Sequence, residues 1–417
     1  MRRTVIILAA ATAVIAAVTA SSHPISAEVL VREKLLKKNE KIQNIEFTKG
    51  TSVYFNESGK LQFACLGADQ QVSGIPLAKG SSVYFYDTGR IEYIFLSADQ
   101  QVLGVFFRKG TPVYLTNGGK LQHIIVASDE DINGILCAKG TKAGFYGSGK
   151  LQYATLAKDQ LIQGISCAKG SISGFYESGR LQYATLSSDF PIQDIKFAKG
   201  TYLLFYESGN IKNAYLVAPT DIMGVTCASG PSASFYENGK LDWAVLGRIG
   251  EVQGVFCAKG STIGFYQSGK LQYATLSDEQ DIGGIPCAKG TKAGFYQSGK
   301  LQFATLAGEH QVMGITCTKG TVAGFYESGK LQYATLSADR EIGGIPCAGG
   351  TKVDFYESGK LQYATLAKDR RIGNVECLKG TVVGIRESGT LKYMISKGSK
   401  TSFDENGNPR DAEKTSD

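Results

Sequence analysis

Residues 281–306 read DIGGIPCAKGTKAGFYQSGKLQFATL, and close relatives of this stretch return every thirty residues. One glycine marks the period, from Gly50 through Gly80, Gly110, Gly140, Gly170, Gly200, Gly230, Gly260, Gly290, Gly320 and Gly350 to Gly380, without insertion or deletion. Such a period signals a repeat architecture in which each unit meets its neighbours in the same way. The quoted stretch holds three short β-prone segments, Ile285–Ala288, Thr291–Tyr296 and Lys300–Leu306. Lys289-Gly290 separates the first pair and Ser298-Gly299 the second, and two-residue gaps with Gly between such segments are hairpin signals. The glycine density and the missing 3.6-residue apolar stripe argue against helix.

Columns of equivalent positions carry the rest of the reading. Asn44, Gly74, Gly104, Gly134, Gly164, Asp194, Gly224, Gly254, Gly284, Gly314, Gly344 and Asn374 form one. These residue types tolerate positive φ, which predicts a left-handed bulge or turn. The column from Gly59 to Gly389 is always Gly and reads as a second turn. Phe55, Phe85, Leu115, Phe145 and their equivalents to Ile385 form a core column, as do the Leu61 and Leu66 columns. Glu57 and Lys60, Glu177 and Arg180, Glu327 and Lys330, and Glu357 and Lys360 straddle the Ser-Gly turn, where opposite charges are expected to pair across strands.

Eleven full units run from 51 to 380. Residues 28–50 read as an N-terminal cap and half repeat, with the charged stretch Arg32–Lys41 covering an edge. Residues 381–397 read as a degenerate terminal repeat and 398–417 as a polar tail. The first 27 residues resemble a secretory signal peptide, with Arg2 and Arg3, an apolar run from Val5 to Val18, and small residues before Ala20 or Ala27. This predicts an exported protein, periplasmic, cell-surface or secreted, with no transmembrane span in the mature chain. Cleavage removes two cations and lowers the formal net charge from +7 to +5, a weak field over eleven units that gives no reason to expect a nucleic-acid partner.

Cys137, Cys167, Cys227, Cys257, Cys287, Cys317, Cys347 and Cys377 share a column with Phe47, Leu77, Phe107 and Phe197. Phe and Leu replace a buried apolar side chain but not a metal ligand or disulfide partner, so a core ladder is expected. Disulfides between neighbouring units require equivalent Cα atoms within about 4.4–6.8 Å. The three histidines, His23, His123 and His310, do not recur in one column, and no phosphate loop, nucleophile elbow or repeated carboxylate pair is present. Asp99, Asp159, Asp339 and Asp369 stand singly in a polar connection. The expectation is a chain that is not an enzyme, with no catalytic residue, metal or cofactor.

Two aromatic columns remain. Phe63, Tyr93, His123, Tyr153, Tyr183, Asn213, Trp243, Tyr273, Phe303, Tyr333, Tyr363 and Tyr393 form one, and Tyr86, Tyr146, Tyr176 and their equivalents to Tyr356 form the other. Tyrosine suits a half-exposed face. One reading is ladder stacking between units. The other is a repeated ligand surface, for which Tyr153, Tyr183, Trp243, Tyr273, Tyr333 and Tyr363 are the candidates. A unique site, if present, is expected in the divergent residues 200–260, around Asn213, Pro219 and Arg248-Ile249-Gly250.

The segments Phe175-Tyr176-Glu177-Ser178-Gly179-Arg180-Leu181 and Phe325-Tyr326-Glu327-Ser328-Gly329-Lys330-Leu331 resemble bacterial variants of the MORN repeat, in which an aromatic pair precedes a Gly-Lys-Leu turn. The match covers the second half of each unit, and the Ile-x-Gly-Ile-x-Cys half departs from it. The resemblance implies a hairpin array serving as a scaffold or as a protein- or lipid-contact surface, and it transfers no catalytic residue. The fold expectation is therefore all-β, an elongated array of antiparallel hairpins. A parallel β-solenoid with three short strands per coil is the alternative. The functional expectation is an exported, non-enzymatic scaffold or extended binding surface at the bacterial cell envelope, with an envelope protein or glycan as partner. A glycan-binding protein or polysaccharide-processing enzyme is the alternative.

Overall fold

The computed structural model describes residues 32–396 and 398–414, and the leader read at residues 1–27 lies outside them. All regular structure among the described residues is β-strand. The chain forms two compact units, one reaching Ile162 together with Lys169–Arg180, the other Gln163–Ala168 together with Leu181 onward.

Four strands make one repeat. In the quoted stretch they are Gln280–Ile282, Ile285–Cys287, Lys292–Phe295 and Leu301–Thr305. The first two pair as a short antiparallel hairpin, with Gln280 opposite Cys287 and Ile282 opposite Ile285. Their turn is Gly283-Gly284, at φ of 63° and 86°. Two consecutive positive φ values define a type I′ turn, whose twist suits a tight hairpin. The glycine-type column read from sequence is the second residue of this turn, as Asn44 at 69° and Asp194 at 66° show. The residue before it is left-handed too. It is Gln43, Ser73, Leu103, Met223 and Gln253 in other repeats, with φ between 48° and 51°.

Lys289-Gly290 is a turn but not a hairpin turn. Thr291 N–H donates to Ala288 O at 3.4 Å, and Gly290 N–H to Leu276 O at 2.8 Å. The strands on either side of it pair elsewhere, so it carries the chain from the short hairpin into a larger sheet. The expected hairpin there fails because Ile285–Cys287 already has a partner, Gln280–Ile282. That strand is three residues long and polar, and it reads as a loop in the sequence.

The larger sheet is an antiparallel meander. Lys292–Phe295 pairs with Leu301–Thr305 of its own repeat, placing Gly294 opposite Phe303. It pairs also with Leu271–Thr275 of the preceding repeat, placing Tyr273 opposite Gly294. Each long strand thus lies between antiparallel neighbours rather than on its equivalent, and the parallel three-strand coil does not form. A three-residue turn closes the hairpin, with Tyr296 N–H donating to Lys300 O and Gly299 N–H to Tyr296 O, both at 2.8 Å. Gly299 has φ of 86°, the left-handed residue of a turn-and-bulge connection.

A second bulge follows this turn. Phe265 faces Leu271 but Gly264 faces Tyr273, so Gln272 is an extra residue. The insertion resets the two-residue alternation. Leu271 and Ala274 both reach the core, at 3% and 0% exposure, while Tyr273 between them turns outward.

The core lies between the meander and the short hairpins. Around one repeat of the second unit it holds Leu306, Val312, Ile315, Cys317, Ala323, Phe325 and Leu331. The layers are joined by backbone: Cys287 bridges Leu306, Ala288 N–H donates to Thr305 O at 2.8 Å, and Ala307 N–H to Pro286 O at 2.9 Å. The eight column cysteines are buried and form no disulfide. Burial pushes the Cys137 and Cys227 thiols up to about 12, with Glu130 and Asp221 respectively adding to the effect.

At the N-terminal side Arg32–Leu35 pairs with Ser52–Phe55 as a charged edge strand. At the other side, the stretch read as a polar tail forms a further hairpin. Ser399–Phe403 pairs with Leu391–Ser396 and with Pro409–Lys414. The Asp404 carboxylate holds its turn by accepting the N–H groups of Asn406 and Asn408.

Candidate binding face

Tyr153, Tyr183, Trp243, Tyr273, Tyr333 and Tyr363 are all half-buried on central positions of long strands. Tyr183 faces Leu204 in the following strand, and each of the other five is opposite a small or polar residue in its neighbouring strands. Tyr153 faces Gly144 and Gly174, Trp243 faces Ser234 and Gly264, Tyr273 faces Gly264 and Gly294, and Tyr333 faces Gly324 and Asp354. Tyr363 faces Asp354 and Gly384. Equivalent positions are two strands apart, about 9.5 Å.

The glycines are seats for the rings. A Cβ at Gly144 would lie 2.3 Å from the Tyr153 ring, at Gly264 2.3 Å from Tyr273, and at Gly324 2.1 Å from Tyr333. The ring of one strand therefore covers the bare backbone of the next, shielding a position that has no side chain of its own. Where the seat is itself an aromatic residue the rings meet one another. In the first unit Tyr54, Phe63, Tyr84, Tyr93, Tyr114 and His123 form a run with centroid separations of 5.1, 4.5, 3.9, 5.2 and 4.3 Å. The Tyr84–Tyr93 and Tyr114–His123 pairs are nearly parallel, at 13° and 10°. The ladder expected from the column therefore exists in these repeats. The sequence carries this exchange at the position opposite the ring, where Tyr54, Tyr84 and Tyr114 give way to Gly144.

Cations decorate this face in the second unit. Lys292 Nζ sits 3.7 Å from the Tyr273 ring centroid and Lys352 Nζ 4.7 Å from that of Tyr333. Lys352 also pairs with Asp354 at 2.9 Å. Burial raises the pKa of the Tyr153, Tyr273 and Tyr333 hydroxyls. At neutral pH these phenols are neutral groups that donate and accept hydrogen bonds. Chemically the face offers apolar ring surface with hydroxyl tips and scattered ammonium groups.

The other tyrosine column is structural. Tyr86, Tyr146, Tyr206, Tyr236, Tyr266, Tyr296, Tyr326 and Tyr356 each donate a hydroxyl hydrogen bond to a backbone carbonyl 29 residues on, at 2.8–3.0 Å. Tyr296, for example, reaches Phe325 O at 2.8 Å. The turn cations also bond forward: Lys330 Nζ donates to Glu357 O at 3.0 Å and Lys360 Nζ to Glu387 O at 2.9 Å. The expected pairing across a single turn is replaced because the next turn's carbonyl lies within reach. Asp99, Asp159 and Asp369 each accept the N–H of the Lys ten residues on at 2.7 Å, and Asp339 accepts that of Gly349 at 2.8 Å. The Lys109 N–H, then the Arg108 guanidinium, holds the Asp99 carboxyl below the usual range. These carboxylates are turn locks.

The divergent stretch is a local change of register. Tyr215 faces Pro231 and Leu216 faces Gly230, and the strand Gly230–Phe235 is correspondingly longer. Tyr215, Val217, Met223 and Ile249 are exposed there, and Arg248 donates to Thr226 Oγ1 at 2.8 Å. Thr226 Oγ1 in turn donates to the Asp221 carboxylate.

Among the described residues no helix is long and apolar enough to cross a membrane, and no three His, Cys, Asp or Glu side chains stand close enough to hold a metal ion. No family profile and no curated protein matches the chain. Similar solved structures include a crystal structure of TcdB2-TccC3-Cdc42, at 11% identity and a TM-score of 0.14, matched over 89% of this chain and 22% of that one. TcdB2-TccC3-TEV is similar at 12% identity and 0.13, over 89% and 22%. The chain thus spans about a fifth of the length of the structures it resembles, and its likeness to them is too slight to carry a functional argument.

Proposed function

We propose that this chain is an exported, non-enzymatic repeat protein whose long sheet presents an extended aromatic surface to a polymer or protein of the bacterial cell envelope. The reading rests on the half-buried rings Tyr153, Tyr183, Trp243, Tyr273, Tyr333 and Tyr363, which hold one strand position at multiples of the thirty-residue period. Regularly spaced rings with hydroxyl tips suit a ligand that itself repeats, because each ring offers an apolar surface and a polar tip. Weak contacts then add through multivalency. The MORN-type likeness of the second hairpin supports a scaffold of this kind.

A glycan array and an envelope pull-down with the full chain test the proposal. Binding that falls progressively as Tyr273, Tyr333 and Tyr363 are replaced by Ser, with the far-ultraviolet circular dichroism unchanged, supports it. Binding indifferent to all three replacements removes the aromatic face from the account.

A further inference from the structure

Short-hairpin tips meet the long-hairpin turn of the same repeat, and in some repeats a glutamine joins them. Gln253 Oε1 accepts the Leu271 N–H at 3.0 Å while its Nε2 donates to Gly269 O at 2.9 Å. Gln43 does the same with Leu61 N–H at 3.2 Å and Gly59 O at 3.3 Å. Gln163 Oε1 accepts the Leu181 N–H at 3.1 Å. One primary carboxamide thus satisfies a fixed backbone pair, using the oxygen and the N–H that share an edge of the amide. The type I′ turn sets φ near 50° here whatever the side chain, as Ser73, Leu103 and Met223 show, and in these glutamine repeats the contact offsets part of the cost that a non-glycine residue carries there.

At Gly283 the glutamine is missing. The turn that follows is the same three-residue turn, so Leu301 N–H and Gly299 O take the places of Leu271 N–H and Gly269 O. A cavity of about 190 Å³ opens there, lined by Gln253, Val255, Asp281, Ile282 and Phe295 together with Gly283 and Gly299. The Cβ position of Gly283 meets nothing within 4 Å. The Asp281 carboxylate in its wall accepts the Gly284 N–H at 2.8 Å.

We propose that this niche binds a primary carboxamide, the side chain of a Gln or Asn on a partner protein, in the way Gln253 occupies the equivalent place one repeat earlier. The backbone pair requires an acceptor and a donor on one edge. A trans secondary amide, such as an N-acetyl group, turns its N–H and carbonyl to opposite sides and does not match. The Asp281 carboxylate disfavours a Glu or Asp side chain in the same place. The site lies at the hairpin tips, away from the outward rings of the long sheet, and its assignment does not depend on the function proposed for those rings.

The test uses full-length protein labelled with 15N-leucine and followed by TROSY NMR, with N-acetyl-glutamine methylamide as probe. N-acetyl-glutamate methylamide, N-acetyl-methionine methylamide and N-acetylglucosamine serve as controls. The expected result is a saturable shift of the Leu301 amide resonance with the glutamine probe alone. Gly283→Gln is expected to weaken that binding by at least about tenfold, the equivalent of one lost hydrogen bond, and to move the Leu301 resonance toward the position of Leu271. Gly283→Met, a residue tolerated at the equivalent positions 223 and 313, is expected to leave the Leu301 resonance where it is. A Leu301 shift of equal size with the methionine probe, or no saturable shift with the glutamine probe, overturns the proposal.

Discussion

Glu130 shows how one atom changes the behaviour of a repeat. At the equivalent positions, glutamines clasp the preceding short hairpin. Gln160 accepts the Leu136 N–H at 3.2 Å and donates to Leu136 O at 3.0 Å, and Gln280 does the same to Phe256 at 3.1 and 2.9 Å. Gln100 uses a variant of this clasp, accepting the Ala78 N–H at 3.1 Å and donating to Pro76 O at 2.9 Å, and Glu130 keeps only the accepting half of it, with Oε2 on the Arg108 N–H at 3.3 Å. Its Oε1 is buried without a partner. Burial raises its pKa, the Arg108 N–H and charge oppose this, and Asp99 adds to it; the buried Cys137 lies opposite in the neighbouring strand. A carboxyl whose folded pKa is raised favours folding fully below its unfolded value, and that advantage shrinks as pH rises through the unfolded pKa toward the folded one. Glu130→Gln restores the clasp and removes the titration. It is expected to stabilise the first unit by about 1–3 kcal/mol at pH 7 and by less at pH 4.5, read as a larger rise in melting temperature at the higher pH. An equal rise at both would contradict the assignment. The column thiols give a second test at this scale. With Cys137 and Cys227 pushed up to about 12, native protein at pH 8 is expected to leave both unmodified by iodoacetamide, with labelling only after denaturation.

At the scale of the element, the ring-over-glycine hairpin makes a sharp prediction. Gly294→Ala places a Cβ 2.2 Å from the Phe303 ring. The ring must leave its seat, at about 1–3 kcal/mol, and hydrogen exchange should accelerate in Lys292–Phe295 and Leu301–Thr305 before it does in other repeats. Protection unchanged in these strands would mean the ring is not seated there. Tyr296→Phe removes one hydroxyl bond to Phe325 O and is expected to cost about 1 kcal/mol.

The long hairpins were legible in sequence because Ser-Gly turns and alternating apolar residues mark them directly. The short hairpins were half legible. The left-handed glycine-type column was plain, but Gln280–Ile282 has too few residues and too little apolar character to read as a strand. The bulge at Gln272 was hidden, because an extra residue repeated in each unit leaves the thirty-residue period intact. The candidate face was visible as a column of rings, whereas the division of labour between the two tyrosine columns depended on a hydroxyl reaching 29 residues ahead.

For the whole molecule, the unit of construction is the repeat. Each long strand takes antiparallel partners from its own repeat and a neighbouring one, so excision of residues 261–290 removes four strands and leaves compatible ends. Such a variant is expected to remain folded, with a urea m-value reduced in proportion to the surface removed. Excision of 29 residues should fail, because a one-residue slip turns core side chains outward. The same repetition places one ring on the candidate face in each full repeat except the one with Asn213.

Trp243 is the single tryptophan of the sequence and stands in that face, so its fluorescence reports the proposed interaction directly. Titration of the full chain with the envelope glycan or protein recovered in the binding screen is predicted to shift or quench Trp243 emission saturably. Tyr273→Ser, in the neighbouring repeat, should weaken the titration, while Gly283→Gln should leave it unchanged. A ligand that binds without altering Trp243 emission, with an affinity indifferent to Tyr273→Ser, would contradict the aromatic face as the binding surface.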